Sequence, residues 1–186
     1  MTFFAALAHA AACQGDPAPA AASRPAIEVF VGGKTVAKVT PGHPCRASIN
    51  SRQGGAVEIL AGGPPLLATV GDVRWTAESA SNGTTFKKND EEVARIHANQ
   101  LFDGQGIPLI KVIDGGTIAN GPGRVVRKAT AVGGRVEITT MIKQPADDAV
   151  VTNTDDLVLA AMLSAPEADP TIRGLVACHL LQAAGT

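Results

Sequence analysis

Two short stretches set an imidazole beside a sulfur: His43-Pro44-Cys45 and Cys178-His179. Imidazole and thiolate are ligands that zinc and copper take readily. If the fold joins the two halves, His43, Cys45, Cys178 and His179 could form a metal site, although structural zinc motifs usually pair ligands two to four residues apart in both halves. No Ser or Cys stands in a catalytic motif, and G-x-S-x-G is absent, so no catalytic residue is assigned. The glycine-rich run GGTIANGPGR (115–124) lacks the Lys-Ser or Lys-Thr of a phosphate loop and sits among strand-like segments, which reads as a turn. Carboxylates gather at Asp90-Glu91-Glu92, Asp147-Asp148 and Asp155-Asp156. The first group suits a turn and the last a helix cap, and the calcium-loop pattern is absent around 147–156. Basic residues concentrate in the second half of the strand-rich region, where Arg124, Arg127 and Lys128 are candidates for a patch facing anionic lipid or glycan. The plainer reading of these three is the solvent faces of alternating strands. Trp75, the one tryptophan, suits either the core or a binding surface. No cofactor is expected.

These groups belong to a chain of 186 residues, the length of one ordinary domain. Apolar residues form 45% of it, enough for a sizeable core, while aromatics form only 3%. With 16 basic against 17 acidic residues the net charge is −1. Neither phosphate neutralisation nor base stacking is provided for, which excludes nucleic acid as a partner. Collagen, coiled coil and disordered acidic chains are excluded by the same composition.

Residues 1–12, MTFFAALAHAAA, are apolar apart from Thr2 and His9, and they run into Cys13. A Pro/Ala-rich stretch over 14–26 follows, without hydrophobic period. The arrangement resembles a bacterial lipoprotein signal, with Ala10-Ala11-Ala12-Cys13 as a degenerate lipobox. The resemblance implies that 1–13 is a signal and lipid-anchor segment, that Cys13 is the lipid attachment residue, and that 14–26 tethers a single domain over 27–186 to a membrane. It further implies an exported, periplasmic or outer-surface location. With Cys13 so used, Cys45 and Cys178 form an even pair in an oxidising compartment, and a disulfide between them is expected. That bond competes directly with the four-residue metal site. Two buried free thiols are the remaining possibility.

Between 27 and about 142 the chain consists of short β-type runs punctuated by glycine pairs, as in IEVFV–Gly32-Gly33–KTVAKV. Asn89-Asp90 and Asp103-Gly104 add turn chemistry. About twelve strands are predicted: a mainly β domain, either barrel or sandwich. After them, Asn153-Thr154-Asp155-Asp156 supplies cap oxygens for a helix over LVLAAML, Pro166 stops it, and Asp169-Pro170 starts a second over TIRGLVACHLLQAA. Helices apolar on most faces are buried on most faces, so the pair is expected to plug or cap the β body. Pro166, Glu167, Asp169 and Pro170 divide the stretch into pieces too short to span a bilayer. The hairpins IEVFVGGKTVAKV, TTFKKNDEEVARI and IPLIKVIDGGTIANGPGRVV, closing on an apolar C-terminal helix, resemble the tubby-like or scramblase-like β-barrel fold over about residues 27–183. That resemblance implies about twelve strands around one central helix.

The function expected from these readings is non-enzymatic: a lipid-anchored envelope protein acting by binding or structural interaction, with its partner unnamed by the sequence. A tubby-like barrel binding anionic lipid, a metal-binding protein, and a hydrolase whose site is assembled from distant residues are the alternatives.

Overall fold

The computed structural model describes residues 24–51, 54–62, 65–141 and 148–184. Cys13, the rest of segment 1–13, tether residues 14–23 and Asp147 lie outside that set. Among the described residues the strands are β1 (Ile27–Val31), β2 (Lys34–Thr40), β3 (Cys45–Asn50), β4 (Ala56–Ala61), β5 (Leu67–Val70), β6 (Val73–Ala80) and β7 (Gly83–Lys88). They continue with β8 (Glu91–His97), β9 (Gln100–Asp103), β10 (Pro108–Ile113), β11 (Thr117–Asn120), β12 (Val125–Ala131), β13 (Arg135–Thr140) and β14 (Ala149–Thr152). Each pairs antiparallel with the next, and β14 returns to β1 with Val29 opposite Val151, closing the barrel. Closure leaves no unpaired sheet edge.

Local chemistry sets the hairpins. Gly32 and Gly33 hold φ of 56° and 76°, the paired positive values of a two-residue hairpin turn. Asn89 and Asp90 adopt 49° and 70°, with small polar side chains that tolerate this region. The fourteen strands exceed the twelve expected because β9 and β14 are four residues long and lack flanking glycine pairs. The turn into β9 passes instead through Ala98 at φ 48°. Hairpin pairing with its sequence neighbours β8 and β10 secures β9, whereas β14 is secured by β13 and by β1 from the far end of the domain.

Strand alternation separates two chemistries. Inward positions such as Ala37, Val39, Ala47, Ile49, Ile59, Ala61, Val136 and Ile138 are buried. The intervening Lys38, Arg46, Glu58, Lys111 and Lys128 are exposed. An apolar interior under a charged exterior is the inverse of a barrel that faces lipid.

A barrel of this many strands is wider than side chains alone can fill, and two helices occupy the space. In α1 (Leu157–Ser164), residues Leu159 to Leu163 are all 2% exposed or less. The Asp156 carboxylate starts α1 by accepting from the amides of Val158 and Leu159 at 2.9 and 3.0 Å. The Asp169 carboxylate starts α2 (Pro170–Ala183) by accepting from the Thr171 amide at 2.8 Å, with Pro170 in the first turn, where its missing N–H costs nothing. Of the two expected arrangements, plug or cap, the structure has the plug, and among the described residues fourteen strands and two helices stand where the tubby-like resemblance implied about twelve strands and one helix. No helix among the described residues is long and apolar enough to cross a membrane.

Helix α2 runs down the inside of β3 in reverse. Arg173 Nη2 donates to the Asn50 carbonyl at 3.5 Å near one end, and Cys178 is bonded to Cys45 at the other. Between them Gly174 meets the wall, where a Cβ would lie 2.3 Å from Ile59 Cδ1. The scarcity of aromatics thus has a packing reason. Wall alanines at 37, 47, 61, 68, 94 and 129, with Ala160, Ala161, Gly174 and Ala177 on the helices, allow close approach where aromatic rings would not fit.

Gly116, ahead of β11, also stands close against backbone. Its φ is 81°, and a Cβ there would lie 2.2 Å from the Ala129 carbonyl oxygen. Gly116→Ala is expected to destabilise the protein by roughly 2–4 kcal/mol, combining a strained φ with a clash against rigid backbone. Urea unfolding measures this, and a loss below about 0.5 kcal/mol would contradict the assigned conformation.

Candidate binding site

The sulfurs of Cys45 and Cys178 form a disulfide, with Cα atoms 5.7 Å apart and both residues fully buried. This corrects the metal reading. With both thiols spent, His43 and His179 retain no sulfur ligand beside them, and no cluster of three metal-type side chains exists among the described residues. The two histidines do meet, as lining of one cavity at the end of the barrel that the disulfide secures.

That cavity encloses about 510 Å³, within the range of small-molecule sites. Pro65, Leu66, Ala77 and Ala183 form its apolar wall, and His43, Glu78, Ser79, His179 and Gln182 its polar groups. Each is held by a distinct device. Ser79 lies on β6 directly opposite Thr84 on β7, so both side chains share the inner face. The Ser79 and Thr84 hydroxyls share a hydrogen bond of 3.0 Å, and Thr84 Oγ1 shares another of 3.0 Å with His179 Nε2. Thr84 is 6% exposed, so the pair of bonds satisfies a hydroxyl that burial would otherwise strand. The His179 ring also stands edge-on to Phe86, with centroids 5.9 Å apart. Gln182 donates its amide to the carbonyls of Gly62 and Ala61 at 2.8 and 3.4 Å, fixing the last turn of α2 to the wall. Glu78 stands at the rim with its carboxylate 2.5 Å from Lys87 Nζ.

Burial pushes the His179 imidazole below its ordinary pKa, favouring the neutral ring. The unfolded chain then binds a proton more readily than the folded one as pH falls through the ordinary histidine value, so the stability associated with His179 is present above about pH 6.5 and lost below it. Acidification from pH 7.5 toward 5 is expected to lower the urea midpoint more for the wild type than for His179→Gln. Parallel midpoint curves for the two proteins would contradict a buried neutral imidazole.

The basic candidates do not form one patch. Arg127 points into the barrel, is 5% exposed and is paired by its guanidinium with both carboxylate oxygens of Glu167, which lies between α1 and α2. Arg124 and Lys128 remain exposed. Strand alternation explains the split, since 127 faces opposite to 126 and 128, and the inward arginine is accommodated because the Glu167 carboxylate meets it inside. The carboxylates also have structural work. Asp148 accepts from the Thr140 amide and hydroxyl at 2.7 and 2.8 Å, Asp155 from the Gly134 amide at 3.1 Å, and Asp156 caps α1. Trp75 is buried opposite Ala68, with Lys88 Nζ 6.0 Å from its ring.

Sequence reasoning missed Ser79, Thr84 and Gln182. A Thr and a His 95 residues apart carry no shared local signal, because only the inward turn of β7 and the phase of α2 bring them together. A second cavity of about 570 Å³ lies at the other end, around Asn50, Glu167, Asp169 and Arg173, where the Arg127–Glu167 pair closes the plug. No family model, curated protein or solved structure matches this chain.

Proposed function

We propose that the protein is an exported bacterial envelope protein, held to a membrane by lipid on Cys13, that acts by binding. The buried Cys45–Cys178 disulfide carries this reading. Structural disulfides form and persist in oxidising compartments and are rare where thiols are kept reduced. The charged outer face of the barrel supports a domain that works in water beside a membrane, at the end of the Pro/Ala-rich stretch over 14–26. A cavity at the end of a rigid, closed scaffold supports binding as the mode of action.

Expression of the full chain in a bacterial host tests it. The wild type is expected in the membrane fraction, released by detergent, with Cys45 and Cys178 blocked to alkylation until reduced. Cys13→Ala is expected to move the protein into the soluble exported fraction with the same bond intact. A wild type that stays soluble, or a Cys13→Ala protein that still sediments with membranes, would overturn the anchor. Alkylatable Cys45 and Cys178 in freshly lysed cells would overturn export.

A further inference from the structure

We propose that the cavity beside His179 binds a small, uncharged amphipathic molecule, its apolar body against Leu66 and Ala77 and a single hydroxyl-type head on Ser79. The assignment stands on the cavity itself and does not depend on the lipid anchor.

The wall decides the body. Leu66 and Ala77 are 4% and 6% exposed, yet both line the cavity, so an occupant would meet apolar carbon there. Apolar surface removed from water on both sides supplies the main attraction.

The Ser79–Thr84–His179 chain decides the head. A neutral imidazole can accept from Thr84 or donate to it, depending on which ring nitrogen carries the proton. When it accepts, Thr84 accepts from Ser79, and Ser79 offers the occupant a lone pair. When it donates, the chain reverses and Ser79 offers its proton. The relay therefore serves a group that is both donor and acceptor, which describes a hydroxyl.

Charged heads fit poorly for two separate reasons. The cavity abuts the last turn of α2, where Ala183 lines it, and the carbonyls at a helix C-terminus carry partial negative charge that opposes a carboxylate. An ammonium would need a free counter-charge. Glu78 is the one carboxylate among the described lining residues, and it alternates with inward-facing Ala77 and Ser79 on β6, with its charge already met by Lys87 at 2.5 Å. Taking an unpaired ammonium out of water is costly.

The full chain, titrated with the uncharged fluorescent amine N-phenyl-1-naphthylamine, tests the site. Saturable binding with one dye per chain is expected. Ser79→Trp, which fills the cavity from its own wall, is expected to weaken dye binding at least tenfold in a protein that still unfolds cooperatively. Thr139→Trp, on the outer face of β13, should leave binding unchanged. In displacement, 1-decanol is expected to compete at least tenfold better than decanoate or decylammonium, and Ser79→Ala to cut that advantage about threefold to tenfold, the worth of one hydrogen bond. Dye binding that does not saturate, or that survives Ser79→Trp, overturns the site. Decanoate or decylammonium competing as well as decanol overturns the uncharged head. These results are read on purified protein, so they fail or succeed separately from the fractionation of Cys13→Ala.

Discussion

Replacing both Cys45 and Cys178 by alanine is expected to reduce stability by roughly 5 kcal/mol, and to lower the unfolding temperature by roughly 10–20 °C for a chain of this size. The reason lies mostly in the unfolded chain. The bond joins residues 133 apart in sequence, so it removes a large share of the conformations open to the unfolded domain. In the folded state it ties the plug to the wall near the C-terminal turns of α2, where the hydrogen bonds of His179 and Gln182 add only local support. Natural domains are stable by only about 5–15 kcal/mol, so the double variant sits near the limit of folding. Both cysteines are fully buried, so dithiothreitol is expected to reduce the bond only as fast as the protein unfolds. Guanidinium unfolding of the double variant reads the stability. A loss under 1 kcal/mol would mean that helix packing alone seats the plug.

Glu167→Ala is the second large effect, with an expected loss of about 2–4 kcal/mol. Its partner, the Arg127 side chain, is only 6% exposed, whereas the Glu167 side chain is 30% exposed. Removing the carboxylate leaves a guanidinium confined in the barrel without its counter-charge, a situation that costs about 3–5 kcal/mol when burial is complete. The partial exposure of Glu167 places the estimate toward the lower end, because water screens part of the interaction. Arg127→Met combined with Glu167→Ala is expected to recover most of the loss, since the unpaired charge is gone and an apolar side chain of similar length replaces it. A double variant as unstable as Glu167→Ala alone would show that the loop between the helices, and not the charge, holds that end. The single and double variants in one urea series give the coupling directly.

The two ends of the plug are therefore secured by different chemistry, and the two differ in how far the sequence shows them. The disulfide followed from counting: three cysteines, one placed by the lipoprotein resemblance at Cys13, leave a pair. The Arg127–Glu167 pair did not. Arg127 sits in a basic run that reads as a surface patch, and nothing local to Glu167 identifies an arginine 40 residues upstream as its partner. Likewise His43 and His179 were recognisable as neighbours of the cysteines, and through the bond they reach a common cavity. The hydroxyls that turn that cavity into a polar reader, on Ser79 and Thr84, were invisible, because serine and threonine are ordinary residues in any strand.

The sequence by itself determined the local elements. Glycine pairs and Asn89-Asp90 demand positive φ and so dictate hairpins; alternation dictates which side chains face inward. Asp156, Pro166, Asp169 and Pro170 dictate where two helices start and stop. These are short-range effects, carried by residues a few positions apart. Only the tertiary structure decided that β14 returns to β1, that both helices enter the barrel, and that His179 meets Thr84 across its interior. Closure and plugging depend on the sum of strand twist, strand number and lumen width over the whole sheet. No single window of sequence contains that sum, and the cavity exists only as its result.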